Sequence, residues 1–394
     1  MNIFILSSAI EMYSFQLANG LAEKDNVMIG MRKSEGLKLF SQFQPFISAS
    51  KVTSYLTPHY AFPDPRCFWE GLKLYREIIH HDSHVLHFHS GNLFAEYLIA
   101  LFLAHRKKIP IITTFHDTSN HSGEQRKLRH KYISSNLIMH VTDHAIVHGK
   151  VLADDGVNFG FDRSLITVVP HGNYDIYHHT ANPAEESQPV PGRVLLFGRM
   201  IRYKGLEILI KAAPVIASRV PNLKIVLAGT GPELNRLLPE VENNPLFEVH
   251  NRFIDSGEVK TFFSRASVIV LPYHDATQSG PLHLAYTFGR PVVASKVGAI
   301  PEALTDGIEG ILVPPDNPEA LAQGLTRILL DPQTAMDMGL NGREKASTRL
   351  NWAGPIAEQT RKAYAKAVDH HENRKKYLRP SLLKMLLKKY TSNN

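Results

Sequence analysis

The apolar and polar positions divide the chain into two runs of alternating elements. In the first run, short β-branched segments at Asn2 to Ser7, Asn26 to Gly30, His84 to His89, Pro110 to Asp117, His144 to His148 and Ile166 to Pro170 are separated by stretches of helical spacing. Such alternation predicts a parallel, doubly wound sheet. The pattern lapses in HTANPAEESQPVPG, residues 179–192, where proline and polar residues leave no apolar period; this marks a linker. It resumes with strands expected at Arg193 to Phe197, Lys224 to Ala228, Phe247 to Arg252, Ser267 to Leu271, Pro291 to Ser295 and Gly310 to Val313. Between the first two of these, Leu206, Leu209, Ile210, Ala213, Val215 and Ile216 recur near helical spacing and predict a crossover helix. At 394 residues the chain is long enough for two such α/β domains, each with its own core.

Composition narrows the class. Hydrophobic residues at 43% and charged residues at 21% exclude wholesale disorder and a purely membrane-embedded chain. The start MNIFILSSAIEMYSF has no basic leader and its apolar run breaks early, so it reads as a first strand and not as a signal peptide. No stretch approaches the ~20 apolar residues of a transmembrane helix. Cys67 is the single cysteine, which excludes an internal disulfide and suits a reduced, cytoplasmic protein.

The net charge of +7 is concentrated at the end of the chain, where residues 370–394 hold seven lysines and arginines against one glutamate, Glu372. A nearly neutral body argues against a nucleic-acid partner, since phosphate tracking needs cations along a groove. The segment Arg374 to Tyr390 sets Leu382, Leu383, Met385, Leu386 and Leu387 among lysines, a pattern that suits an anionic membrane surface. It equally suits a solvated terminal helix or a partner-binding helix.

Ligands of open parallel sheets sit beyond the carboxyl ends of the strands, and with two such domains the expected site is the cleft between them. FGRMIRYKG, residues 197–205, follows the first strand of the second half and puts Arg199 and Lys204 at that edge, flanked by Gly198 and Gly205. Arginine clamps phosphate oxygens in two-pronged fashion and lysine acts as a point charge. A solvated basic turn would look the same. DATQSGPLHLAYTFGRPVVAS, from Asp275 to Ser295, places Thr277, Gln278, Ser279 and Gly280 in a small polar turn before an apolar helix. Free amides at a helix start make an anion site, although Ser and Thr are also ordinary N-caps. The pairing with Arg199 and Lys204 in the same half favours an anion cradle. AGTGPE, Ala228 to Glu233, lacks the third glycine of a dinucleotide fingerprint, and the first strand ends in Ser7, Ser8, Ala9 with no glycine motif, so a nicotinamide dehydrogenase is disfavoured.

In the first half, FHDTSNHSGE puts His116 and Asp117 at a strand end, with His121 and Glu124 following. A histidine there can donate to a substrate hydroxyl. No metal is expected: His116 and His121 lack the spacing of a helical zinc pair, and no Asp-x-Asp pair stands at a strand end. His89, His148 and His171 read as satisfied loop residues in a chain with 21 histidines.

From Arg193 to about Ala365 the sequence resembles glycosyltransferase family 4, retaining enzymes of the GT-B fold. The resemblance rests on GRMIRYKGLEILIKAAP, LKIVLAGTGPE, GRPVVASKVGAIPEAL and DGIEGILVPPDNPEALA, and in the first half on His116 and VVPHGN, residues 168–173. It implies two Rossmann-like doubly wound domains facing each other across a cleft. Residues 1–180 would form the acceptor domain, 190–352 the donor domain, and 353–394 a helix crossing back to the first domain followed by the basic tail.

By the same resemblance, Arg199 and Lys204 grip the donor diphosphate, His116 reaches the donor sugar, and the backbone near Phe253 faces the nucleobase. Gly198, Thr277, Gln278, Ser279 and Gly280 complete the donor contacts, Ser8 and Tyr13 meet the acceptor, and Trp352 begins the returning segment. The family's paired glutamates are replaced by Ala276 and Leu284, which marks a subgroup with a Thr-Gln-Ser-Gly loop. The implied activity is metal-independent hexosyl transfer with retention, from a nucleotide-diphosphate sugar to a glycan or lipid-linked acceptor, in bacterial polysaccharide synthesis. No cofactor is implied, and the implied place is the cytoplasm or the inner face of its membrane. A non-catalytic sugar-nucleotide module and a GT-B epimerase are the alternatives.

Overall fold

The computed structural model describes residues 1–8, 10–43, 46–47, 50–60, 63–90, 94–116, 137–158, 161–179 and 188–373. Asp117, His121, Glu124, most of the linker and the basic segment 374–390 lie outside them.

The described chain forms two compact units. In the first, β1 (Asn2–Ser7), β2 (Asn26–Arg32), β3 (Thr53–Thr57), β4 (Val85–His89), β5 (Ile111–Thr114), β6 (His144–Val147) and β7 (Ile166–Val168) make one parallel sheet in the order β3-β2-β1-β4-β5-β6-β7. β3 is absent from the strands that the apolar pattern predicts. It is the edge strand, its first two residues are exposed, and so it lacks the continuous apolar run of a buried strand.

The second unit holds β8 (Arg193–Phe197), β9 (Lys224–Ala228), β10 (Phe247–His250), β11 (Val268–Leu271), β12 (Val292–Ser295) and β13 (Gly310–Val313), parallel in the order β10-β9-β8-β11-β12-β13. Both sheets are covered on two faces, and β8 shows how. Val194 and Leu196 point into a core shared with the helices Leu206–Ala217 and Pro318–Leu330, while Leu195 points into a second core against Ser256–Arg265 and Gly280–Thr287. Each fully buried leucine or isoleucine in these cores contributes roughly 1.5–3 kcal/mol. The crossover helix starts at Leu206 and buries Leu209, Ala213 and Ile216; Val215, counted in its apolar period, is 43% exposed.

The units divide after His171 and again after Asn351. Residues 172–179 thus pack with the second unit, because the Asn173 amide bonds to the Leu350 carbonyl and Tyr174 and Tyr177 lie against its core. From Trp352 the chain belongs to the first unit. The helix Ala357–Glu372 is fixed there by Arg361 on Asp25 at 2.6 Å, by the Tyr364 hydroxyl 2.7 Å from His87 Nδ1, and by His371 Nδ1 2.9 Å from Asp143.

His87 and His144 lie inside this docked region, and burial, with neighbouring histidines adding to it, pulls each pKa down to about 3. The unfolded chain then binds protons below about pH 6.5 that the folded chain refuses, so stability is present above that pH and is lost as pH falls toward 3. Thermal melts of the wild type from pH 8 to pH 5 are expected to show a falling midpoint, and a double His87→Gln, His144→Gln variant a flatter profile. Equal slopes in the two proteins would refute the assignment.

Candidate functional site

Both sheets reverse their strand order beside their first strand, at β1/β4 and at β8/β11. Consecutive crossovers there leave to opposite faces, so the carboxyl ends splay open, and this is where ligands of such sheets bind. Most of the residues singled out in the sequence fall at these two points.

In the second unit the loops after β8, β9 and β11 are joined backbone to backbone. Gly198 N–H donates to Ala228 O, Met200 N–H to Thr230 O at 2.9 Å, and His274 N–H to Tyr203 O at 2.9 Å. Gly205 sits at φ +66 after the short turn Arg202–Lys204, and a Cβ on it would lie 1.8 Å from the Pro272 carbonyl oxygen. Gly298, at φ +51, would likewise place a Cβ 1.4 Å from the Ala276 carbonyl. Only glycine meets both the left-handed backbone and the close approach.

This framework buries Lys204 and points its Nζ at the Tyr273 hydroxyl, 2.6 Å away, with the ammonium 4.1 Å from the centre of that ring. Burial pushes the Tyr273 pKa up, so the phenol stays neutral. The Tyr273 hydroxyl also lies 3.4 Å from Ser279 Oγ. Next to it, His274 is gripped by two carboxylates, Glu207 at 2.7 Å and Asp316 on its other nitrogen. Burial alone would lower the His274 pKa, but these two partners outweigh it and the net shift is upward. Sequence reasoning singles out neither Tyr273 nor His274. LPYHD reads as an ordinary strand exit, and their partners lie far away in the chain.

Arg199 is exposed at the same edge. The helix Gly280–Thr287 begins there without a side-chain cap bond from Ser279; its second residue, Pro281, has no N–H, and Leu282 N–H donates to the Ser279 carbonyl at 3.2 Å. Thr277 and Ser279 are buried, and Gln278 Oε1 is buried without a hydrogen-bond partner. Ala276 and Leu284, where the family resemblance leads to an expectation of glutamates, both join the apolar core. Gly198 has open space at its Cβ position. Phe253 follows β10 at the sheet edge, 64% exposed, with its carbonyl accepting from Arg252 at 3.2 Å.

In the first unit, Ser8 is buried and its hydroxyl donates to the His89 carbonyl at 2.8 Å, which joins the ends of β1 and β4. Tyr13 is 1% exposed and forms the hub of a ring cluster. His89, His116, His148, His171 and Trp352 surround it edge-on with ring centres 4.7–5.2 Å away. Ser8 and Tyr13, expected to meet an acceptor, are both buried at the strand ends. The three histidines read as loop residues, His89, His148 and His171, instead converge with His116, since β4 to β7 are neighbours and deliver one histidine each at or just past their carboxyl ends. The loop after β1 has no glycine, and Ile10 takes the left-handed conformation at φ 62, ψ 50, at a cost of roughly 1–2 kcal/mol. Among the described residues, no cluster of His, Cys, Asp or Glu is placed to hold a metal ion, and no helix is long and apolar enough to cross a membrane.

Two family models divide the chain: Glycosyltransferase Family 4 matches residues 10–173 and Glycosyl transferases group 1 matches residues 191–331. A D-inositol 3-phosphate glycosyltransferase of Paenarthrobacter aurescens is 27% identical over 250 residues, 59% of this chain and 61% of that protein. The chain spans between about half and two thirds of the length of such curated relatives. Among solved structures, sucrose-phosphate synthase from Thermosynechococcus elongatus superposes with a TM-score of 0.65 at 20% identity, covering 92% of this chain and 98% of the other. HepE of Anabaena, solved with UDP-glucose, gives 0.67 at 15% identity, covering 92% and 99%. The two parallel α/β units and these likenesses establish the GT-B fold, and each half is similar in sequence to a glycosyltransferase family model.

The glycine contacts make the frame of the second site testable. Gly205→Ala forces a left-handed alanine against the Pro272 carbonyl and is expected to cost about 2–3 kcal/mol in urea unfolding, read on the second unit. A change within about 0.5 kcal/mol, the range of a neutral surface substitution, would show that the loop contact is not a constraint.

Proposed function

We propose that the protein is a glycosyltransferase that moves a hexosyl group from a nucleotide-diphosphate sugar to a glycan or lipid-linked acceptor, with retention and without a metal ion. The observation that carries this reading is the buried Lys204 with its Nζ on a neutral phenol, at the β8/β11 strand ends that also carry Arg199 and the helix start at Gly280. Two cations and a helix start form a cradle for a diphosphate. The kinship of both halves supports it, as does the likeness of the fold to HepE, whose structure holds UDP-glucose.

In the proposed reaction the bond between the anomeric carbon and the diphosphate oxygen breaks, and its electron pair goes to the leaving phosphate. The acceptor hydroxyl oxygen forms the new bond on the same face and gives its proton to that phosphate. Charge grows on the leaving group, so cations already in position stabilise the transition state with no reorganisation. Arg199 and Lys204 hold this role, Thr277, Gln278 and Ser279 supply the polar contacts that the absent glutamates would give, Phe253 flanks the base, and His116 meets a sugar hydroxyl. The basic segment 374–390, which lies outside the described residues, would hold the enzyme to an anionic membrane surface on the cytoplasmic side, where polysaccharide assembly finds its lipid-linked acceptors.

A second reading is a non-catalytic sugar-nucleotide module, favoured by the burial of Ala276 and Leu284 in the core where relatives carry carboxylates. It predicts binding without turnover. A thermal-shift panel of UDP, GDP, ADP and their sugars, with and without EDTA, separates the cases, because a ligand of the folded state raises the midpoint. The expected result is a chelator-insensitive shift from one nucleotide. Arg199→Ala, at an exposed position, is expected to keep the fold while transfer falls roughly 100-fold or more. Near-normal turnover in that variant would remove Arg199 from the mechanism. Nucleotide binding with no product from any acceptor would favour the module.

A further inference from the structure

The ring cluster of the first unit contains a hydrogen-bonded relay whose proton positions follow from elementary chemistry. His148 Nδ1 lies 2.9 Å from the Val169 carbonyl oxygen, which can only accept, so Nδ1 carries the proton. In a neutral imidazole the other nitrogen is then bare. His148 Nε2 lies 3.0 Å from His116 Nδ1 and, being bare, must accept from it. His116 Nδ1 therefore carries its ring's proton, and Nε2 of His116 holds a lone pair. Tyr13 sets both ring planes, meeting His116 edge-on at 4.7 Å and His148 at 5.2 Å.

We propose that His148 is a positioning residue that locks His116 in the Nδ1–H tautomer, so that His116 Nε2 accepts a hydrogen bond from a substrate sugar hydroxyl and does not donate one. This reverses the polarity assigned to His116 from its strand-end position alone. It also sets a requirement on the substrate: the group meeting His116 must carry a proton, as a hydroxyl does and a carboxylate or carbonyl oxygen does not. The opposite polarity needs an imidazolium at His148. That charge would sit among His89, His116 and His171, with the buried His87 close enough for its own pKa to be lowered by His116 and His148. Burial holds both His87 and His89 in the neutral form, and the rings packed against His148 are those of Tyr13, His116 and His171. The proposal rests on the transferase reading only for what the hydroxyl belongs to.

The test is a long-range proton–nitrogen correlation spectrum of the full chain labelled with 15N-histidine, His116 being assigned by its loss in His116→Gln. The wild type is expected to show His116 protonated at Nδ1. In His148→Phe, which keeps a ring against Tyr13 but offers no acceptor, His116 is expected to move toward the Nε2–H form. In His148→Gln, whose amide oxygen can accept from Nδ1–H, it is expected to stay. Transfer measured as kcat/KM for the nucleotide sugar should fall about tenfold in the phenylalanine variant and recover in the glutamine variant. An Nε2–H tautomer in the wild type, or an unchanged tautomer in His148→Phe, would overturn the proposal. Should the phenylalanine variant not fold, the wild-type spectrum and the glutamine variant decide it. Absence of turnover with every nucleotide sugar would sink the transferase reading, while the spectrum would still decide the role of His148.

Discussion

In each sheet the parallel strand order reverses beside the first strand, and the placement of both sites descends from that reversal. A parallel strand must be followed by a crossover, and crossovers of one hand that start in opposite directions leave to opposite faces. The carboxyl ends of β1 and β4, and of β8 and β11, are thereby left uncovered by their own helices. Ser7, Ser8, His89 and His116 gather at the first opening, and Arg199, Lys204, Tyr273 and Gly280 at the second.

The two openings solve different electrostatic problems. At the second, Lys204 Nζ lies 2.6 Å from the Tyr273 hydroxyl, a phenol that burial keeps neutral. Glu207 and Asp316 bond to the two ring nitrogens of His274. At the first, burial keeps the imidazoles of His87 and His89 neutral. The rings there bond to hydroxyls, carbonyls and each other, as in His87 with Tyr364 and Thr114, or His148 with Val169 and His116.

Ala276 and Leu284 are fixed by packing. Leu284 faces the core beneath the helix that starts at Gly280, so a carboxylate there would have to be buried or the helix rotated. The polar atoms of this loop are instead on Thr277, Gln278 and Ser279, one of which, Gln278 Oε1, is buried without a partner.

Strands such as Arg193–Phe197, Lys224–Ala228 and Gly310–Val313 are legible to the residue in the chain, because a strand buried on both faces must be a continuous apolar run bounded by turns. Arg199, Lys204 and the Thr-Gln-Ser-Gly turn are legible too, since a cation or a glycine at a strand exit is a local signal. The edge strand Thr53–Thr57 is not, as its exposed residues carry no apolar requirement. Nor is the meeting of His116 with His148, 32 residues apart, or of Lys204 with Tyr273, 69 apart. Burial periodicity is written residue by residue, and so the layered parallel architecture follows from the order of amino acids with no further information. Which histidines and which phenol meet at the strand ends follows from the folded sheets instead, because those partners are chosen by the order of strands in space and not by their order in the chain.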